Sequence, residues 1–175
     1  PKGIGALYLS DRLVQAFQPP YLGGEQERQM RPGTENLPYA MGLAAAATRL
    51  AKTMKSRDTA MRALNRQLRE GLKAFPEVVI NSPENAIPHI LNLSVQDVKG
   101  TVFQRELNEE GVCVSVKSAC SSDGLPSRAV FAVSRDRRNA LSSWRVSLSH
   151  RTTEEDLRGF LAAFDRCYRG LTETK

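Results

Sequence analysis

The segment Ser115–Pro126, SVKSACSSDGLP, decides how the chain is arranged around a reactive residue. Just upstream, the β-branched run Val112–Val116 is typical of a buried strand. Downstream, Pro126 suits the first position of a helix that continues over 127–134. Cys120 is therefore expected on a polar loop between a strand and a helix, where a thiol can meet a substrate.

Around this loop the sequence alternates between strand and helix patterns. Strands are predicted at 78–81, 89–95 and 144–149, and a helix is predicted at 102–110. Thr152-Thr153-Glu154-Glu155-Asp156 fits the start of a final helix, with two overlapping capping boxes. This final helix is expected to bury Leu157, Phe160, Leu161 and Phe164.

A long helix is predicted over 37–75. Its apolar residues recur every three or four positions and form one stripe: Met61, Leu64, Leu68, Leu72 and Phe75. The order of elements from this helix onward favours an α/β chain whose C-terminal part, 76–175, is a small α+β domain. We expect a mostly antiparallel sheet covered by helices on one face.

The first 36 residues follow a different pattern. Gly3–Leu9 predicts a short apolar strand that its glycines weaken, although the nearby sequence predicts no strand to pair with it. The glycine-bearing segment 23–36 predicts a long surface loop. Thr34 is expected to cap the next helix, either as a plain cap or as part of an anion site with free backbone N–H groups.

Arg145 lies in the centre of a predicted strand, opposite Trp144 and Val146. It is either a surface residue or a fixed guanidinium that grips a carboxylate in a cleft. His89 has apolar neighbours and is interpreted as structural.

The three cysteines have irregular spacing, which favours neither a disulfide framework nor zinc. A reducing, cytoplasmic location is therefore expected. Cys113 is predicted to be buried as a small hydrophobic residue, and Cys167 to be structural.

The net charge is +6, and most basic residues are scattered among acids. This distribution favours a solvated surface over a nucleic-acid face, which needs a basic stripe with interleaved aromatics. The tight cluster Arg135-Asp136-Arg137-Arg138 equally fits a contact for an acidic protein partner. No apolar run has the length of a membrane span, and the first residues show no signal-peptide pattern.

Several stretches in order resemble the C-terminal part of a cysteine desulfurase. These enzymes belong to the class V aminotransferase-like group, which uses pyridoxal phosphate. The resemblance covers essentially the whole chain and is carried by Pro1–Tyr8, Gly23–Arg28, Arg31–Asn36, His89–Ser94, Ser118–Ser121 and Arg145–Leu148 followed by Thr152–Glu155.

The resemblance implies a role for three residues. Cys120 is the thiolate that takes sulfur from L-cysteine as a persulfide, leaving L-alanine. Arg145 binds the substrate α-carboxylate, and Thr34 reaches the cofactor phosphate of the neighbouring subunit in a homodimer. The sulfur then passes to an acceptor protein for iron–sulfur cluster assembly or tRNA thiolation.

The chain departs from the family pattern in ways that leave alternatives open. No His-Lys pair occurs, so the Schiff-base lysine is absent, and this piece alone is expected to be inactive. Residues 1–36 are then a remnant of the large cofactor-binding domain and 37–75 a connecting helical segment.

Lys117 stands where the best-known members have glycine; it either lowers the pKa of Cys120 or points to solvent. Glu25 also interrupts a usually all-glycine run. Other interpretations are a selenocysteine lyase, an aminotransferase or a non-catalytic module that only docks partners or accepts sulfur.

Overall fold

The computed structural model describes residues 2–117 and 125–172. The chain forms two compact units, Pro1–Lys55 and Ser56–Lys175. Within the described ranges, no helix is long and apolar enough to cross a membrane. The expected division into 1–36, 37–75 and 76–175 concerns the organisation of a longer protein and stays a prediction.

The first unit contains a short helix α1 (Asp11–Val14), a 3₁₀ turn (Gln26–Gln29) and the start of helix α2 (Leu37–Leu72). The strand predicted at Gly3–Leu9 is wrong: this segment joins no strand of the described chain. Its Leu7 and Tyr8 side chains are exposed. An extended segment needs a partner to satisfy its backbone groups and cover its apolar side chains, and none pairs with this one.

The 3₁₀ turn has a left-handed backbone. Glu27, Arg28 and Gln29 have φ values of 50°, 57° and 65°. L-residues with a Cβ disfavour this region by about 1–2 kcal/mol each. The turn is therefore a strained point of the loop 23–36.

In the second unit, α2 supplies the apolar stripe that its periodicity predicts. Met61, Leu64, Leu68 and Leu72 are buried, and Phe75 packs against the same core. Phe75 makes edge contacts with Phe164 and Tyr168 at centroid distances of 4.8 and 4.9 Å. This prediction is confirmed.

Three strands within the described residues form one antiparallel sheet in the order β1 (Val78–Ile80), β2 (Ile90–Val95) and β3 (Ser143–Ser147). Leu93 pairs with Trp144, and Asn92 with Arg145. Because side chains alternate along a strand, Leu91, Leu93, Trp144 and Val146 share an apolar face, and Asn92, Ser94 and Arg145 share the other.

The apolar face is packed by α2, α3 (Gly100–Glu109) and α6 (Glu154–Thr172). Phe103 of α3 stacks on Trp144 with centroids 5.2 Å apart, and Phe164 of α6 lies 6.0 Å from the same ring. All three side chains are fully buried. Helix α6 begins with one of the predicted capping boxes, since Thr153 and Asp156 each bond to the other's backbone N–H.

The strand predicted at Val112–Val116 is reduced to one isolated bridge, between Ser115 and Arg145. Gln104 Nε2 donates to the Val114 carbonyl at 2.9 Å. This side chain therefore occupies a backbone acceptor that a neighbouring strand would use. Val112, Val114 and Val116 still pack against the core, as the β-branched pattern predicts.

Two short helices lie against the polar side of the sheet: α4 (Arg128–Ser134) and α5 (Arg137–Ser142). Ser94 Oγ donates to the Asn139 carbonyl at 3.0 Å, which joins β2 to α5. Helix α4 matches the predicted helix at 127–134. Helix α5 was not predicted.

Candidate functional site

A cleft of about 730 Å³ opens between the polar face of the sheet and helix α4. Its floor comes from Asn81, Ser82, Asn92 and Arg145, and one wall comes from residues 125–130 with Val133 and Ser134. Pro83, Val116 and Lys117 complete the lining. The fold thus brings the predicted Arg145 to a concave, polar surface, the kind of place where small ligands bind.

Arg145 is half-buried and held from two directions. Its backbone exchanges hydrogen bonds with Ser115 at 2.8 and 3.2 Å. Its Nη1 donates to the Lys117 carbonyl at 3.2 Å. Within the described residues its guanidinium makes no other hydrogen bond, and the remaining donors can bind an anionic ligand in the cleft.

The charged side chains that line the cleft, among described residues, are Lys117, Arg128 and Arg145, and no carboxylate joins them. Three cations among the described lining residues favour an anionic ligand. The cleft is therefore electrostatically matched to a carboxylate.

A network of amide and hydroxyl groups supports the cleft floor. Asn81 Nδ2 donates to Asn92 Oδ1 and to Ser94 Oγ, both at 2.9 Å. Asn139 Nδ2 donates to Asn81 Oδ1 at 2.8 Å. Asn92 is the cross-strand neighbour of Arg145 on the same face. The network therefore fixes the surface on which Arg145 lies.

Cys120 belongs to residues 118–124, outside the described part of the chain, so its predicted exposure on a loop is not tested. The residues on either side of this segment, Lys117 and Leu125, both line the cleft. Ser127 then starts α4, and its Oγ accepts from Val130 N at 3.4 Å. Both residues that flank the segment carrying Cys120 therefore lie in this cleft.

Thr34 lies in the first unit and is exposed. It is not the cap of α2: the helix begins at Leu37, and Asn36 Oδ1 accepts from Tyr39 N at 3.3 Å. Asn36 is the stronger cap because it is adjacent to the first helical residue. The expectation that Thr34 caps this helix is wrong, and its role toward a phosphate stays a prediction.

Two side chains that sequence reasoning missed hold the loop next to Thr34. Gln26 Oε1 accepts from Gly33 N, and Arg31 Nη1 donates to Gly33 O, both at 3.2 Å. Gly33 has φ +100°, which favours glycine. The sequence signal for these contacts was the set of polar residues that recur around the glycines of the loop 23–36.

The two described cysteines differ in environment. Cys113 is exposed, so its predicted burial is wrong. Val112 and Val114 pack inward, and alternation turns the side chain between them outward. Cys167 is buried in the core, as predicted, and burial raises the pKa of its thiol, which makes it unreactive.

A smaller cleft of about 410 Å³ lies between α2 and residues 80–88. Arg69 spans it, with Nε donating to Asn65 Oδ1 and Nη2 to the carbonyls of Ser82 and Pro83. These contacts tie the segment between β1 and β2 to the helix. Their role is structural.

Known proteins identify the family to which this fold and cleft belong. The family model of class V aminotransferases matches residues 1–160, so the chain belongs to this family. The chain is 38% identical to the cysteine desulfurase NifS of Azotobacter vinelandii, over 90% of this chain and 39% of that protein. It is 33% identical to a cysteine desulfurase of Sinorhizobium fredii, over 100% of this chain and 46% of that protein.

The structure of a NifS-like protein from Rickettsia africae superposes with a TM-score of 0.72 at 26% identity, over 86% of this chain and 40% of that one. The predicted family and fold class are confirmed. The chain spans about two fifths of the length of the relatives it matches.

Membership of this family implies pyridoxal phosphate as the cofactor. The described cleft does not by itself fit this group, because its lining contains no aromatic side chain to stack on the ring. The sequence contains no His-Lys pair to supply the lysine that the family resemblance requires. The cleft fits the carboxylate of a substrate. The ring of the cofactor would have to be held by residues outside this lining.

Proposed function

We propose that this chain is the C-terminal part of a cysteine desulfurase acting on L-cysteine. The observation that supports this most is the cleft that contains Arg145 and is lined by the two residues flanking the Cys120 segment, Lys117 and Leu125. A substrate with one carboxylate and one sulfur requires a residue that binds the carboxylate and, beside it, a nucleophile that attacks the sulfur. The relatives named cysteine desulfurase support the same activity.

In this proposal Arg145 binds the α-carboxylate and orients the substrate. The thiolate of Cys120 attacks the substrate sulfur, forming an S–S bond as the C–S bond breaks. The electron pair of the broken bond stays on carbon, which gains a proton to become L-alanine. The sulfur remains on Cys120 as a persulfide.

The remaining assignments extend this proposal to the complete protein. Thr34 contacts the cofactor phosphate of the second subunit in a homodimer, and the lysine that binds pyridoxal phosphate lies elsewhere in the protein. The persulfide sulfur passes to an acceptor for iron–sulfur cluster assembly or tRNA thiolation in the cytoplasm. The chain alone has no desulfurase activity.

The test is sulfide release from L-cysteine, measured in the longest natural reading frame that contains this chain. Cys120→Ser should reduce the rate by about 100-fold or more, since it removes the nucleophile. Cys113→Ser is the matched control, because this exposed cysteine lies outside the cleft lining, and the rate should stay within about twofold. Equal rates in the two variants would exclude the role of Cys120.

The same assay separates the alternatives. Faster turnover of L-selenocysteine than of L-cysteine indicates a lyase for that substrate. Amino transfer that is independent of Cys120 indicates an aminotransferase. A reading frame without a His-Lys pair that still takes up sulfur on Cys120 indicates a non-catalytic sulfur acceptor.

A further inference from the structure

An arginine-rich corner, residues 128–138, is formed where α4 ends and α5 begins. It contains Arg128, Arg135, Arg137 and Arg138, and its one acid is Asp136. Every side chain from Phe131 to Arg138 is exposed. The corner is therefore a concentrated positive surface on a chain whose other basic residues are scattered.

Asp136 offsets only one of the four positive charges and is not paired with an arginine side chain within the described residues. Its Oδ1 accepts from the backbone N–H groups of Arg138 and Asn139, at 2.8 and 3.1 Å, and so caps α5. None of the four arginines of the corner forms an ion pair within the described residues. Their charges face solvent.

The corner also exposes apolar side chains that a solvated surface does not need. Val133 is 83% exposed, Leu125 just before the corner 49%, and Phe131 43%. Val133 and Leu125 line the cleft that contains Arg145. The apolar contact and the basic residues are thus continuous with the candidate site.

We propose that residues 125–138 form a docking surface for a protein partner with an acidic face. If the proposed function holds, on which this identification rests, the partner is the protein that receives sulfur from Cys120. Protein interfaces combine an apolar centre with a charged rim and are enriched in arginine, as this surface is. Single-stranded nucleic acid is disfavoured, because its bases stack on several aromatic side chains and this surface offers only Phe131.

The surface is tested by direct binding to the 175-residue chain, in a measurement that needs neither Cys120 chemistry nor a cofactor. The probe is a fluorescein-labelled 16-residue peptide of Glu, Asp and Leu, and its neutral partner replaces the acids with Gln and Asn. By fluorescence anisotropy, the acidic peptide should bind at least about tenfold more tightly than the neutral one. Raising the salt from about 50 to about 300 mM should weaken its binding.

Two variants locate the surface. Arg137→Glu with Arg138→Glu should weaken binding of the acidic peptide by about tenfold. Both positions lie in the first turn of α5, where negative charge is favourable, so the helix should persist, as circular dichroism can verify. Val133→Ser should weaken binding by about threefold, because it removes an exposed apolar contact.

The charge-matched control is Arg66→Glu with Arg158→Glu, two exposed arginines on α2 and α6. This control should change binding by less than about threefold. An equal loss in the control, or no loss in the Arg137/Arg138 variant, would overturn the proposal. So would tenfold tighter binding of a 16-nucleotide single-stranded DNA than of the acidic peptide. A failed sulfide assay leaves a positive binding result standing, so the two proposals fail separately.

Discussion

Ser115 and Arg145 exchange both of their backbone hydrogen bonds, with N···O distances of 3.2 and 2.8 Å. This pair sets the register between β3 and the segment that leads to Cys120. It places the Lys117 carbonyl within 3.2 Å of Arg145 Nη1. The backbone pairing of Ser115 with Arg145 therefore positions the proposed carboxylate-binding residue, Arg145, beside the segment that leads to the proposed nucleophile, Cys120.

Arg145→Lys should raise the KM for L-cysteine by about 10- to 100-fold and change kcat less. Lysine keeps the charge but loses the fork that can bond both the Lys117 carbonyl and a carboxylate, and hydrogen bonds to charged groups contribute about 1.5–3 kcal/mol. Steady-state kinetics on the longest natural reading frame measure this. Arg66→Lys, outside this cleft, is the control. An unchanged KM in Arg145→Lys would exclude the carboxylate role.

Asn81→Ala should lower the free energy of unfolding by about 2–4 kcal/mol, since it leaves Asn92, Ser94 and Asn139 without their shared partner. Urea denaturation measures the change. Asn85→Ala, an exposed asparagine without a hydrogen bond in the described structure, should stay within about 0.5 kcal/mol. Equal effects of the two changes would mean that the network contributes nothing.

Gly100→Ala and Gly159→Ala should change stability in opposite directions. A Cβ at Gly100 would lie 2.6 Å from the Ser143 carbonyl oxygen, so we expect a loss of about 1–3 kcal/mol from overpacking. A Cβ at Gly159, inside α6, meets nothing within 4 Å, and alanine there should add about 1 kcal/mol. Thermal unfolding of both variants tests the pair, and the same sign for both would contradict the described packing of α3 on β3.

Asp156→Asn should reduce the dependence of stability on pH. The Thr153 backbone N–H and hydroxyl donate to Asp156 and hold the pKa of its carboxyl below the ordinary value. A pKa lowered by folding stabilises the protein above the ordinary aspartate pKa, and this contribution is lost as the pH falls through the folded-state pKa.

Between about pH 7 and about pH 3, the unmodified chain should therefore lose more stability than Asp156→Asn. Urea titrations at several pH values measure the difference. Parallel curves for the chain and Asp156→Asn would show that the capping carboxylate is not linked to folding.

Local patterns predicted the elements whose burial follows a simple period. The stripe from Met61 to Leu72 recurs every three or four residues, and the alternation in Ile90–Val95 predicts a strand with one buried face. The start at Thr153 was also predictable, because a capping box is local. Arg145 was identified for the same reason, since alternation turned it away from Trp144.

The features that the sequence did not predict depend mainly on contacts between residues far apart in the chain. Helix α5 was missed because its charged first turn hides the buried Ala140 and Ser142. The network joining Asn81 to Asn139 spans 58 residues, so no local pattern indicates it. The error at Cys113 has the opposite origin: the alternation was present, but the wrong face was assigned to the interior.

The chain has one tryptophan, Trp144, and its indole is completely buried between Phe103 and the aromatic rings of α6. Tryptophan fluorescence therefore observes the interior of the second unit alone. Its emission should lie toward the blue in the native state and move to the red when water reaches the ring. The molecule thus contains its own optical probe, with which each substitution in that unit can be monitored without a label.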